Sequence, residues 1–68
     1  MNEIVILMRL PQVLRATGLN KTGLYLLQRT GEFPRAVKIS DRAVAWPQRD
    51  VQDWIAAKIA ARDAGRPA

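Results

Sequence analysis

Apolar residues recur along this chain in short runs with two different periods, and those periods predict its elements. Ile4-Val5-Ile6-Leu7-Met8 is β-branched at its start and apolar throughout, which predicts a short strand or an extended N-terminal arm over residues 1–8. Leu10, Val13 and Leu14 then recur at helical spacing in Leu10–Thr17, with Pro11 in the first turn, where its missing N–H costs nothing. Gly18 closes this helix, because glycine takes the left-handed conformation without Cβ strain. Asn20 stands where its side-chain oxygen can accept the free N–H groups two or three residues on, so a second helix starts there. Within it Leu24 and Leu27 form an inward stripe, Lys21, Thr22, Tyr25, Gln28 and Arg29 largely face outward, and Gly31 ends it.

Beyond Gly31 the period changes. Pro34 forces Phe33 into an extended conformation, so the chain leaves the helix and Phe33 is expected to fill the core beneath the loop. Val37 and Ile39 alternate with Lys38, and Val44 and Trp46 alternate with alanines, on either side of Ser40-Asp41-Arg42. The pattern predicts a two-stranded hairpin with one apolar face, and with Lys38 and the tip residue Arg42 directed away from the core. Pro47 opens a last helix, in which Val51, Trp54, Ile55, Lys58 and Ile59 follow at helical spacing. Asp50 and Asp53 near its start and Lys58 and Arg62 toward its end suit the helix dipole. Trp46 and Trp54 are expected to share the core between hairpin and last helix. Gly65 and Pro67 stop that helix, leaving 9–64 as the domain and 65–68 as a flexible tail.

Composition narrows the chemistry. A chain of 68 residues makes one small domain with a modest core. It contains neither cysteine nor histidine, which removes disulfides, thiolate metal sites, histidine-activated nucleophiles and the common zinc ligand sets. No catalytic residue, metal or cofactor is expected, and the chain does not read as an enzyme. The apolar run at Ile4–Met8 is too short to span a membrane or to form a signal core, and Glu3 stands where a signal peptide carries positive charge. The expected location is cytoplasmic, with nucleoid association when bound to DNA.

Charge changes the picture most. Eleven Lys and Arg against six Asp and Glu leave a net charge of +5. The surplus is local: from Arg9 to Arg49 eight basic residues meet only Glu32 and Asp41, while the segment after Arg49 balances and Glu3 is the one charge before Arg9. A polyanion is the natural partner of such a surface. Helix, turn, helix, hairpin and helix with a basic excess form the layout of a winged helix-turn-helix, a small α+β domain that binds double-stranded DNA. On that layout Asn20, Lys21, Thr22, Tyr25, Gln28 and Arg29 occupy the recognition helix, and Arg35, Lys38 and Arg42 occupy the hairpin and its approach. Arg29 has the reach for guanine O6/N7 or a phosphate, Gln28 the amide for adenine, and Thr22 and Tyr25 hydroxyls for the backbone. Arg42 is the leading phosphate contact, because a hairpin tip has no structural need of a long cation.

The chain from about Leu7 to Arg62 resembles the AlpA-like family of prophage regulators, related to phage excisionases and to the DNA-binding heads of MerR-type regulators. The resemblance is carried by Arg9-Leu10-Pro11-Gln12-Val13, Thr17-Gly18-Leu19-Asn20-Lys21-Thr22, Leu24-Tyr25 and Gly31-Glu32-Phe33-Pro34. It continues through Val37-Lys38-Ile39, Arg42-Ala43-Val44-Ala45-Trp46, Val51 and Trp54-Ile55. It implies an excisionase-like winged helix-turn-helix encoded by a prophage or other integrated element. The implied function is transcriptional regulation near an integrase gene, with the second helix in the major groove and the hairpin on the backbone or minor groove. The allied alternative is a recombination directionality factor that bends an attachment site and contacts the integrase. Self-association on tandem sites suits either role. A third alternative, of another class, is an adaptor or antitoxin-like module using Leu26 and the Ile4–Met8 arm as its contact surface. Two positions depart from the family pattern. Gly23 stands where Ser or Thr is usual. Leu26 stands where a basic or polar residue is common, and if exposed it offers contact to a thymine methyl or to a neighbouring protomer.

Overall fold

In a computed structural model, which describes residues 4–65, the order of elements is β1 (Leu7–Met8), α1 (Leu10–Thr17), α2 (Lys21–Arg29), β2 (Val37–Ser40), β3 (Ala43–Pro47) and α3 (Gln48–Asp63). The expectations for residues 1–3 and 66–68 lie outside the described residues. α1 starts with Arg9, whose backbone N–H donates to Gln12 Oε1 at 2.9 Å. This is the reciprocal half of a capping box alone, since an arginine side chain has no acceptor to offer in return. At the other end Gly18 adopts φ 78° and its N–H donates to the Leu14 carbonyl at 2.9 Å. The Thr17 hydroxyl donates to the Val13 carbonyl at 2.8 Å and accepts from the Leu19 N–H at 3.3 Å, so the turn into α2 is held by its own hydrogen bonds.

The three helices pack with a three-stranded antiparallel sheet of order β1-β3-β2. The hairpin is therefore not a two-stranded unit. Leu7 and Met8 pair with Pro47 and Trp46, and the Gln48 N–H donates to the Ile6 carbonyl at 2.7 Å. The physical reason is the second edge of β3: it passes the buried Trp46, and without β1 its backbone groups there would lack partners. The arrangement is compatible with a winged helix-turn-helix.

The core is small and central. Val13, Leu24, Phe33, Trp46 and Val51 are each no more than 2% exposed, one from each of α1, α2, the loop after α2, β3 and α3. Met8, Leu10, Leu14, Leu19, Leu27, Ala36, Trp54 and Ile55 pack around them. Phe33 fills the core beneath its loop as expected, with its ring edge to Trp54 at 5.1 Å between centroids.

Alternation misjudges the hairpin. Val37, Lys38, Ile39 and Ser40 are all exposed, and Val44 is exposed where an inward residue is expected. β2 and β3 pair through Val37–Ala45, Lys38–Val44 and Ser40–Ala43, with a bulge at Ile39, which leaves Asp41 and Arg42 as the turn. The core ends at Ala45 and Trp46, so the distal half of the hairpin stands beyond it with no residue fully buried. The same holds for α3. Ile59, expected on the inward stripe, is 47% exposed, and every residue from Ala56 to Ala64 is exposed, because a 16-residue helix outruns so small a core. No helix among the described residues is long and apolar enough to cross a membrane.

Candidate nucleic-acid interface

α2 is defined at both ends by bonds its own sequence supplies. Asn20 is extended, and its Oδ1 accepts the Gly23 N–H at 2.7 Å while its carbonyl accepts from Leu24 at 2.9 Å. At the far end Gly31 adopts φ 85°, its N–H donates to Gln28 O at 3.2 Å, and the Glu32 N–H donates to Leu27 O at 2.8 Å. These two bonds make a Schellman closure. Asn20→Ala is expected to cost about 1 kcal/mol of stability through the lost cap, read as a drop in melting temperature with the folded spectrum unchanged. The departure at Gly23 has a geometric counterpart: a Cβ there would stand 3.0 Å from Asn20 Oδ1, so any side chain must push the cap back.

Leu24 is fully buried and Leu27 packs against the core, which turns the opposite side of α2 outward. Lys21, Thr22, Tyr25, Leu26 and Arg29 are all exposed, as are Asn20, Arg35, Lys38 and Arg42. Gln28 differs from the other residues read as outward. It is half-buried, and its Oε1 accepts the Trp46 indole N–H at 3.1 Å. A buried indole needs an acceptor, and Gln28 lies where it can supply one. The same N–H reaches the Pro34 carbonyl at 3.1 Å. Trp46 thereby ties together the end of α2, the loop after it and β3. Arg29 and Arg35 each follow a residue that bonds this indole, so the end of α2 and the approach to the hairpin are held side by side. Trp54 adds a second tie, its indole N–H donating to the Glu32 carbonyl at 2.9 Å, with Lys58 Nζ over its ring at 5.3 Å. Sequence reading places both tryptophans in the core; their hydrogen bonds to the loop are what it misses.

The electrostatics are simple. Arg9, Arg15, Lys21, Arg29, Arg35, Lys38, Arg42 and Arg49 are exposed, and among the described residues none of them forms an ion pair. The ion pair that is present, Arg62 to Asp63 at 2.8 Å, lies at the end of α3. Asp41 makes no pair with its neighbour Arg42 in the turn. Unpaired exposed cations cost the fold nothing in water and remain available to an external anion. Leu26, singled out in the sequence as a departure from the family pattern, is 52% exposed on the same side of α2 as Thr22 and Arg29. Its signal is positional, one turn after Thr22 and three residues before Arg29.

Residues 6–59 match the sequence model of the family described as Prophage CP4-57 regulatory protein (AlpA). This chain belongs to the AlpA family. The match opens just before β1 and ends at Ile59, so it takes in the sheet, α1, α2 and the part of α3 that packs on the core. The chain is also 40% identical over 58 residues to "Uncharacterized protein ORF88" of Enterobacteria phage P4. That alignment covers 85% of this chain and 66% of the phage protein, so the chain spans just under two thirds of the length of that relative.

Proposed function

We propose that this AlpA-family chain is a double-stranded DNA-binding regulator of a prophage, acting on transcription near an integrase gene. The observation that carries the reading is the outward side of α2, which is capped at both ends, has no acidic residue from Asn20 to Thr30, and is accompanied by unpaired cations before and after it. In this reading residues 9–64 are a winged helix-turn-helix. α2 enters the major groove, and the β2–β3 hairpin lies along the backbone or in the minor groove. Lys21, Arg35, Lys38 and Arg42 hold phosphates. Thr22 and Tyr25 position the helix through their hydroxyls, and Arg29 takes a phosphate or a guanine edge. Asn20 serves first as the cap. Gln28 acts through Trp46, fixing the angle between helix and hairpin, with its amide hydrogens left for any contact with DNA.

One short helix supplies only a few discriminating contacts, each about 1–3 kcal/mol. Useful occupancy therefore calls for repeated sites filled by neighbouring copies. The test is an electrophoretic mobility shift with duplexes from upstream of its own gene and of the adjacent integrase gene, at low and high salt. A shift at low salt that weakens at high salt is the expected result. No shift at low salt overturns the reading and leaves the adaptor role. A circular-permutation assay on the same fragments separates the roles, since a strong bend at an attachment site marks the excisionase-type alternative.

A further inference from the structure

One residue on the outward side of α2 has no chemistry for a phosphate. Leu26 is 52% exposed, although Leu24 and Leu27 already supply the inward stripe of this helix. At about 100° per residue, Thr22 and Arg29 mark the centre of the outward side, with Leu26 about 40° from Thr22 and Tyr25 on the other flank. Leu26 thus lies inside the contact side and not at its border with the core. Thr22, four residues earlier, is the neighbour of Leu26 on the same face and carries a methyl group of its own. Single exposed leucines are ordinary on protein surfaces. This one is distinguished by its setting, beside Thr22 and Arg29 on the outward side of a helix without acids.

The edges of adenine, guanine and cytosine in the major groove present hydrogen-bonding atoms, and an aliphatic chain pressed on them leaves those atoms unpaired. Thymine alone among the four bases presents a methyl group there. We propose that Leu26 reads thymine by packing on its C5-methyl, with the Thr22 methyl completing the apolar contact. The inference rests on α2 lying in the major groove, as in the function proposed above, and adds the base that the helix selects.

The experiment separates the two. Duplexes are selected from a random pool by the wild-type protein, and each thymine of the selected site is replaced singly by deoxyuridine, which lacks only the C5-methyl. At one or two positions the wild-type affinity falls roughly three- to five-fold, the weight of one buried methyl. Leu26→Ala binds the thymine and deoxyuridine duplexes equally, and Leu26→Met keeps the difference. The deoxyuridine series needs no variant, so it decides the matter whether or not Leu26→Ala folds. Wild-type binding indifferent to deoxyuridine at every thymine, with Lys21→Ala/Arg42→Ala still weakening it, overturns the thymine contact and leaves DNA binding standing. No retention of any duplex at low salt overturns both.

Discussion

Trp46→Ala is expected to leave most of the protein unfolded at room temperature. Trp46 is fully buried at the meeting point of α2, the following loop and the sheet, and its indole N–H holds both Gln28 and Pro34. Truncating a buried tryptophan costs about 3–5 kcal/mol through lost burial and the cavity left behind. A domain of this size holds roughly 3–10 kcal/mol in total, so the loss consumes much or all of it. Circular dichroism should show a weak helical signal without a cooperative melt. Trp46→Phe removes the donor and part of the ring system, costs less than the alanine, and should still fold with a lowered melting temperature. A cooperative transition for Trp46→Ala within a few degrees of the wild type would remove Trp46 from the centre of the core.

The second large effect is on binding. Five or six cations neutralising phosphates give a salt slope near −5, which means about a thousand-fold loss of affinity between 50 and 200 mM salt. Lys21→Ala combined with Arg42→Ala should lower the slope by about 2 and weaken binding at low salt, uniformly across sequences. Both side chains are exposed and without ion-pair partners, so the melting temperature should hardly move. Fluorescence anisotropy on a labelled duplex over a salt series measures both quantities. A double variant with the wild-type slope would withdraw these two residues from the interface.

The two predictions concern different kinds of information in the chain. The ends of α1 and α2 are legible because their signals act over three or four residues. Asn20 reaches Gly23, Gly18 reaches Leu14, and Gly31 with Glu32 reaches Gln28 and Leu27. Helical period placed Val13, Leu24 and Val51 in the core for the same reason: a helix wide enough to bury a stripe states that stripe locally. The basic excess between Arg9 and Arg49 is equally plain in the sequence. In the hairpin the local rule fails, because Val37, Ile39 and Val44 have the period of a covered strand and yet none of them is buried in the core.

Helix ends, turns, the inward leucines and the sign of the surface follow from neighbours along the chain, whose chemistry is complete within a turn or two. The pairing of β1 with β3, the inward turn of Gln28 toward Trp46 and the exposure of Ile59 depend on residues far away in sequence. They depend also on how far so small a buried core extends. Leu26 stands between the two: its apolar nature is written in the sequence, but its place among the outward residues exists only once Leu24 and Leu27 have chosen the side of α2 that is buried.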